Sequence, residues 1–273
     1  MLAKVGEGTI FSHLFRCTFE QKKVNKMKSL ILYSLLFFSF AFMPDSFKSQ
    51  QQKFSRVKTA YEEKEKLVKE LFSSKGIELS SATIFIRAFK KEAQLEIWAK
   101  STKQENYTLV KTYAICSSSG NVGPKRKQGD SQVPEGFYEI DRFNPSSNYY
   151  LSLGVSYPNA SDKLLGSKGN LGGDIMIHGN CVTIGCMPLT DDKIKEVYLM
   201  AVESKSSGHS IPVHIFPCKM DEKGMSYLEK EFKEYPGLIS FWKNIQKGYS
   251  SFELSHKIPS VKVNSSGEYS FSD

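Results

Sequence analysis

One short segment of the sequence combines the residue types of a cysteine nucleophile site. Residues 172–190 read GGDIMIHGNCVTIGCMPLT, and His178 and Cys186 each lie next to a glycine. A cysteine nucleophile needs a base that makes its thiolate and N–H donors for the oxyanion formed on attack. Gly185 permits a tight turn that brings N–H groups near the sulfur, and the Gly179 carbonyl can hold the proton-accepting imidazole tautomer. The spacing predicts a thiol–imidazole pair.

Other roles remain open for the same side chains. Cys186 can be a structural thiol, because cysteine is among the most buried residue types. Cys181 is a rival nucleophile, but it has no preceding glycine, so we expect it to pack in the core. A zinc site is a further alternative, with ligands from His178, Cys181, Cys186 and one of His209, His214 or Cys218. Because their spacing matches no paired-cysteine zinc module, we expect no metal and no cofactor.

Two pieces of the segment, His178-Gly179 and Thr183-Ile184-Gly185-Cys186, resemble the signature of YkuD-type L,D-transpeptidase domains. That signature is His-Gly followed later by Ser/Thr-His-Gly-Cys. Here the interval is shorter, Ile184 stands where the family often has a second histidine, and the usual basic residue after the cysteine is absent. These departures match the YafK-like branch of the family.

Further stretches resemble the same branch, and the likeness covers roughly residues 80–220. They are GPKRKQGDSQVPEGFY (123–138), NPSSNYYLSLGVSYPNASD (144–162) and GGDIMIHG (172–179). The resemblance implies that Cys186 is the acyl-forming nucleophile and His178 its base. It also implies that Gly185 and Cys186 lie at the oxyanion-binding turn.

A basic cluster, Lys125-Arg126-Lys127, lies beside a glycine-rich loop at 117–134. Most such charge runs are simply solvated. The functional alternative is carboxylate capture, since wall stem peptides carry carboxylates and arginine binds them through two parallel hydrogen bonds. We therefore take Arg126, Lys125 and the motif residue Thr183 as substrate-binding candidates.

The elements that must position these residues are mostly strands. Alternating and β-branched stretches predict strands at Thr83–Phe89, Gln94–Ala99, Leu109–Cys116, Gly136–Asp141, Tyr149–Val155, Asp174–His178, Cys181–Ile184 and Ile211–Phe216. Helical spacing predicts helices over 56–73, from Thr190 to about residue 203, and over 225–247 with a break at Pro236–Gly237. With the resemblance, this indicates a mainly β (α+β) fold, a YkuD-like β-sandwich with an N-terminal helix and a C-terminal helical extension.

The N-terminal region has the proportions of an export signal. Leu30–Met43 is an apolar run of signal-peptide length, preceded by four lysines and followed by polar sequence. Met27 is a candidate translation start. We predict a signal region at 1–45, a lead and helix at 46–80, a catalytic domain at 81–220 and a helical extension at 221–273. The expected location is the periplasm or cell envelope.

Charge and cysteine content limit the remaining classes. The formal net charge is +8, but without residues 1–50 there are 30 basic and 26 acidic residues. That balance, with no nucleic-acid module, indicates no nucleic-acid partner. Four cysteines after the signal region are too few for a disulfide scaffold, and the sequence does not select a pair among Cys116, Cys181 and Cys218.

The expected function is acyl transfer on peptidoglycan stem peptides, in cell-wall biogenesis and cell shape. The resemblance implies that Cys186 attacks the carbonyl joining an L-centre of diaminopimelate to D-alanine, and that an amine or water resolves the thioester. Resolution by water gives an alternative, an L,D-hydrolase that trims stems or releases a wall-attached protein. A non-catalytic peptidoglycan-binding module is the alternative of a different class.

Overall fold

The computed structural model describes residues 45–272. Its first half contains α1 (Phe47–Gln51), α2 (Ser55–Ser73), β1 (Thr83–Phe89), β2 (Gln94–Lys100), β3 (Thr108–Ala114), β4 (Gly136–Ser147) and β5 (Tyr150–Val155). Its second half contains α3 (Ala160–Leu165), β6 (Met176–His178), β7 (Met187–Pro188), α4 (Asp191–Ser206), β8 (Pro212–Phe216), α5 (Glu222–Glu231), α6 (Pro236–Ser255), β9 (Ser260–Val263) and β10 (Tyr269–Ser272). The predicted signal region, its apolar run and Met27 lie outside the described residues.

Eight strands form one mixed sheet in the order β3-β2-β1-β8-β4-β5-β6-β7. The β1–β8 and β6–β7 pairs are parallel, and the other neighbours are antiparallel. The start of β4 pairs with β8, and the rest of β4 pairs with β5 through two register shifts. Such irregularities bend a strand and increase its twist, so the sheet curls along β4. The predicted α+β class with a large strand core is confirmed.

The N-terminal helix shares the hydrophobic core of the sheet. Buried residues of α2 repeat at helical spacing and join the same cluster as β1, β2, β5 and α4: Val57, Ala60, Tyr61, Val68 and Phe72. Each large apolar side chain buried there contributes about 1.5–3 kcal/mol. The Tyr61 hydroxyl also donates to Glu203 Oε1 of α4 at 3.0 Å. As the sequence predicts, Thr190 caps α4, accepting from the Lys193 N–H.

A second cluster holds the C-terminal part against the other end of the sheet. Trp242 of α6 is fully buried there beside Phe89 and Phe216, and its Nε1 donates to Glu135 Oε2 at 2.8 Å. The break predicted at Pro236–Gly237 lies just before these residues: one helix, α5, ends at Glu231, and Pro236 begins the next, α6. The extension also contains a hairpin, β9–β10, that helical periodicity does not indicate.

The predicted strand at Cys181–Ile184 is wrong. Residues 179–186 form an irregular loop, and the next strand, β7, begins after Cys186. Asn180 and Gly185, which flank the predicted strand, adopt positive φ angles of 54° and 130°, so the backbone turns on both sides of it. Among residues 45–272, no helix is both long and apolar enough to cross a membrane.

Candidate active site

His178 lies at the last position of β6, a short buried strand. It pairs with Ser152 of β5 on one side and with Pro188 of β7 on the other. The strand ends there because the backbone turns at Gly179, where a Cβ atom would lie 2.6 Å from Asp191 Oδ1. That carboxylate accepts the Asn180 N–H at 2.8 Å. The first turn of α4 therefore secures the loop that follows His178.

The imidazole of His178 has a defined tautomer. Its Nδ1 lies 2.5 Å from the Gly179 carbonyl oxygen, and since a carbonyl can only accept, Nδ1 carries the proton. This leaves Nε2 as the acceptor. The residue is only 1% exposed, and burial lowers the pKa of His178, while the Gly179 hydrogen bond partly opposes the shift. The imidazole is therefore neutral at neutral pH, as a general base requires.

Tyr149 covers one face of this imidazole. The two ring centroids are 4.7 Å apart, with an interplanar angle of 33°. Tyr149 is 43% exposed, so its ring forms part of the outer surface of the site. The sequence offers no signal for this contact, because Tyr149 lies 29 positions before His178 and approaches it only through β5–β6 pairing.

Cys186 follows a turn organised by one threonine hydroxyl. Thr183 Oγ1 accepts the N–H groups of Gly185 at 3.2 Å and Cys186 at 2.8 Å, and donates to the Cys186 carbonyl at 2.9 Å. Thr183, a predicted substrate-binding residue, thus holds the turn together. The N–H groups predicted to bind an oxyanion are occupied, so that role requires Thr183 to release them.

Cys186 directly precedes β7, the strand that pairs in parallel with the strand of His178. Ile177 pairs with Met187 and His178 with Pro188, so Cys186 lies at the loop end of this strand pair. The Cys186 Sγ lies 3.5 Å from the Asp174 carbonyl oxygen, just before β6.

The thiol of Cys186 is protonated at rest. Burial raises its pKa, the Met176 backbone hydrogen bond lowers it, the Asp174 charge raises it, and the Lys125 charge lowers it, with a net increase. Because the thiolate is the nucleophile, attack depends on proton transfer to a neighbouring base.

A disulfide bond joins Cys116 to Cys181, with the Cα atoms 5.5 Å apart. The expectation that Cys181 packs in the core is wrong, because Cys181 lies in an exposed loop and bridges to the end of β3. The Cys116 N–H also donates to the Pro188 carbonyl at 3.0 Å. The bridge removes Cys181 from both the rival nucleophile and the zinc alternatives. Cys186 and Cys218 are the free thiols of the described part of the chain.

A cleft of about 300 Å³ opens beside Cys186. Its walls come from the β1–β2 turn, from the loop after β3 and from Cys186 and Met187 themselves. The polar loop segment Ser117–Asn121 supplies hydroxyl and amide groups, and Lys90 and Lys91 also line the cleft. Polar and apolar groups therefore both surround the approach to the thiol.

The predicted substrate-binding residues of the basic cluster have different surroundings. Lys125 is 5% exposed and pairs with Asp130 at 2.7 Å, although its charge still lowers the pKa of Cys186. Arg126 lies 3.6 Å from Asp162 and over the Phe241 ring, in a separate cavity. The structure does not bring Arg126 into the Cys186 cleft, and its substrate role stays a prediction.

Comparison with known proteins places the chain in a family. A profile described as YkuD, L,D-transpeptidase catalytic domain, matches residues 85–215. The Escherichia coli K12 protein named "Putative L,D-transpeptidase YafK" is 36% identical over 189 residues, which cover 68% of this chain and 73% of that protein. The chain belongs to the YkuD family. The resemblance in the His178–Cys186 motif is thereby confirmed as family membership.

Solved structures with partial likeness include a cell shape determining protein and an L,D-transpeptidase. The helical cell shape determining protein Pgp2 of Campylobacter jejuni is 17% identical with a TM-score of 0.41, covering 67% of this chain and 73% of that one. L,D-transpeptidase 1 of Mycobacterium tuberculosis is 13% identical with a TM-score of 0.28, covering 50% and 62%.

Proposed function

We propose that this YkuD-family protein is an exported enzyme that transfers acyl groups on peptidoglycan stem peptides through Cys186. The observation that carries the proposal is a free thiol on the wall of a cleft, one residue before the strand that pairs with the strand of a histidine of fixed tautomer. The family supports the reaction class, since its profile describes an L,D-transpeptidase catalytic domain.

The reaction proceeds in two halves. His178 Nε2 takes the proton of Cys186 as the sulfur attacks the carbonyl between an L-centre of diaminopimelate and D-alanine. The tetrahedral oxyanion collapses, the C–N bond breaks, His178 returns the proton to the leaving amine, and a thioester remains. An amine of a second stem peptide then attacks the thioester and gives a proton to His178. The C–S bond breaks as the new amide forms, and His178 returns that proton to the sulfur, which restores the thiol.

Proton transfer and attack are coupled in this mechanism. Burial disfavours both the thiolate of Cys186 and the imidazolium of His178, so the resting pair is neutral rather than ionised. A neutral pair also limits oxidation of the Cys186 thiol, because a thiol is oxidised more readily the more thiolate character it has. The oxyanion is stabilised by the Gly185 and Cys186 N–H groups once Thr183 Oγ1 rotates away from them.

The nucleophile that attacks the thioester decides whether the reaction is transfer or hydrolysis. Water in place of the amine makes the protein an L,D-hydrolase that shortens stems or releases a wall-attached protein by the same thioester. A catalytically silent wall-binding module is the alternative of a different class, and an activated-thiol probe with and without Cys186→Ala separates it from both enzymes.

Two features support export to the periplasm or cell envelope. The apolar run at 30–43 with its basic flank has signal-peptide proportions. The Cys116–Cys181 disulfide is typical of an oxidising compartment. On this proposal the mature chain begins near residue 46, and N-terminal sequencing of exported protein that starts before Leu30 would contradict it.

The test is incubation of the purified protein with peptidoglycan, followed by mass analysis of the released muropeptides. Transfer predicts new cross-linked dimers together with free D-alanine. Hydrolysis predicts shortened stems or freed protein without new dimers. Products identical to those of the Cys186→Ala control would contradict the proposed function.

A further inference from the structure

The cleft beside Cys186 has an uneven charge. Two lysines, Lys90 and Lys91, line it, whereas no acidic side chain of residues 45–272 does. The rest of its surface is formed by small polar residues and by apolar side chains such as Ile115 and Val133. A cleft of this composition favours a ligand that carries negative charge beside an apolar or small group.

Lys90 does not supply a free charge to this cleft. Its ammonium donates to the carbonyls of Gly123 at 2.5 Å and Val133 at 2.9 Å, and pairs with Glu135 at 2.9 Å. An ammonium has three protons, so all of its donors are used. Glu135 neutralises its charge, and Lys90 therefore holds the walls together rather than binding a ligand.

The surroundings of the Lys91 ammonium differ from those of the Lys90 ammonium. It is exposed, and within residues 45–272 no carboxylate or hydrogen-bond acceptor lies within bonding distance of its ammonium. Its described contact is the ring of Tyr227, 4.4 Å from the ammonium to the centroid. A cation over an aromatic face keeps its donors available on the other side.

A second group in the same cleft lacks a partner. Ser119 Oγ is buried and makes no hydrogen bond within the described part of the chain. Leaving a buried hydroxyl unsatisfied costs about 1–3 kcal/mol. Ser119 and Lys91 both line the cleft that contains Cys186, and within residues 45–272 neither side chain has a hydrogen-bond partner.

We propose that Lys91 and Ser119 bind the free carboxylate at the C-terminal end of the peptide whose carbonyl Cys186 attacks. The inference rests on the proposed function and names its recognition element. One residue of extended chain spans about 3.6 Å at most, so a single leaving amino acid keeps its carboxylate close to the reacting carbonyl. The small cleft fits such a short leaving group, and its charge selects a free acid.

The experiment compares a stem tetrapeptide with a free C-terminal carboxylate to the same peptide with a C-terminal amide. Affinities are measured calorimetrically in the Cys186→Ala background, which removes turnover, and kcat/KM is measured in the wild type. A hydrogen bond to a charged group contributes about 1.5–3 kcal/mol, so we expect acid to be preferred over amide by about tenfold to a hundredfold.

Variants of Lys91 and Ser119 test whether these residues cause the preference for the acid over the amide. Lys91→Gln should reduce the acid/amide ratio towards one through KM, Lys91→Arg should keep most of it, and Ser119→Ala should reduce it in part. Lys103→Gln, at an exposed lysine outside the cleft, is the matched control and should leave it unchanged. The inference is overturned if the site with Lys91 and Ser119 intact does not prefer the acid to the amide, or if Lys91→Gln leaves that preference unchanged. Acid-selective binding without turnover by the wild type supports this subsite and contradicts the proposed function.

Discussion

Residues 45–272 contain two regions in which a histidine and a free cysteine lie close in sequence, and they have opposite surroundings. His178 and Cys186 belong to β6 and the loop before β7, beside an open cleft. His214 belongs to β8, and Cys218 follows that strand within the aromatic cluster of the C-terminal extension. Residue type is the same in both regions, so backbone geometry and solvent access make the difference.

Aromatic packing makes the second region inert. The ring of His214 lies 4.5 Å from that of Phe85 and 4.6 Å from that of Phe137, and burial lowers its pKa to about 3. Cys218 is fully buried, and burial, followed by the charge of Glu92, raises its pKa to about 12. At the first site, by contrast, a carbonyl anchors His178, and a turn through Gly185 leaves Cys186 at the cleft.

Exchanging each cysteine for alanine gives the largest expected contrast. Cys186→Ala should abolish stem-peptide turnover, because the thioester has no sulfur, and should leave the melting temperature nearly unchanged. Cys218→Ala should keep turnover and lose about 1 kcal/mol of unfolding free energy through a small core cavity. Steady-state kinetics and thermal melts measure both. If Cys186→Ala still turned over the stem peptide, or if only Cys218→Ala lost turnover, the assignment of Cys186 as the nucleophile would be wrong.

The two histidines should differ by orders of magnitude. His178→Ala should lower kcat by about 10²–10⁴-fold, the usual contribution of a general base, whereas His214→Leu should leave kcat close to the wild-type value. The double variant Cys186→Ala, His178→Ala should be no worse than Cys186→Ala, since groups acting as one unit are non-additive. Equal losses in the two histidine variants would mean that His178 acts only through packing.

Removing the Cys116–Cys181 bridge should have an intermediate effect. The bridge spans 65 positions of sequence and holds the irregular loop that carries Thr183 and Cys186. We expect the Cys116→Ser, Cys181→Ser variant to lose about 2–4 kcal/mol of stability and several-fold in kcat below its melting transition. The Cys181→Ser single variant should share that loss, because it also lacks the bridge. Full activity and an unchanged melting temperature would show that the bridge does not position the loop.

A smaller effect concerns stability at mildly acidic pH. The folded pKa of His214 is about 3 and the unfolded value is about 6.5, so the unfolded state takes up a proton first. The stability that the neutral imidazole gives is complete above pH 6.5 and is lost progressively as pH falls towards 3. Between pH 6.5 and 5 this amounts to about 2 kcal/mol. Urea titrations at several pH values should show that acidification lowers the unfolding free energy less in His214→Leu than in the wild type. An identical dependence of unfolding free energy on pH in both proteins would contradict the burial effect.

Sequence reasoning succeeded where a signal is local. Glycine beside His178 and Cys186, β-branched runs and the Thr190 cap are short-range patterns, and they gave the family, the strand-rich core and the helices around it. It failed where distant segments meet. Tyr149 reaches His178 only through the pairing of β5 with β6, and the Cys116–Cys181 bridge depends on the position of β3 relative to the loop. The valine and isoleucine near Cys181 suggested a strand, whereas positive φ angles and the disulfide dictate a loop.

The most direct test of the account is to trap the acyl-enzyme and locate the adduct. Wild-type protein mixed with a stem tetrapeptide, quenched in acid and digested, should yield one peptide with the mass of a thioester on Cys186. Cys218→Ala should yield the same adduct, and Cys186→Ala should yield none. An adduct on another residue, or one that persists in Cys186→Ala, would contradict the claim that Cys186 is the nucleophile.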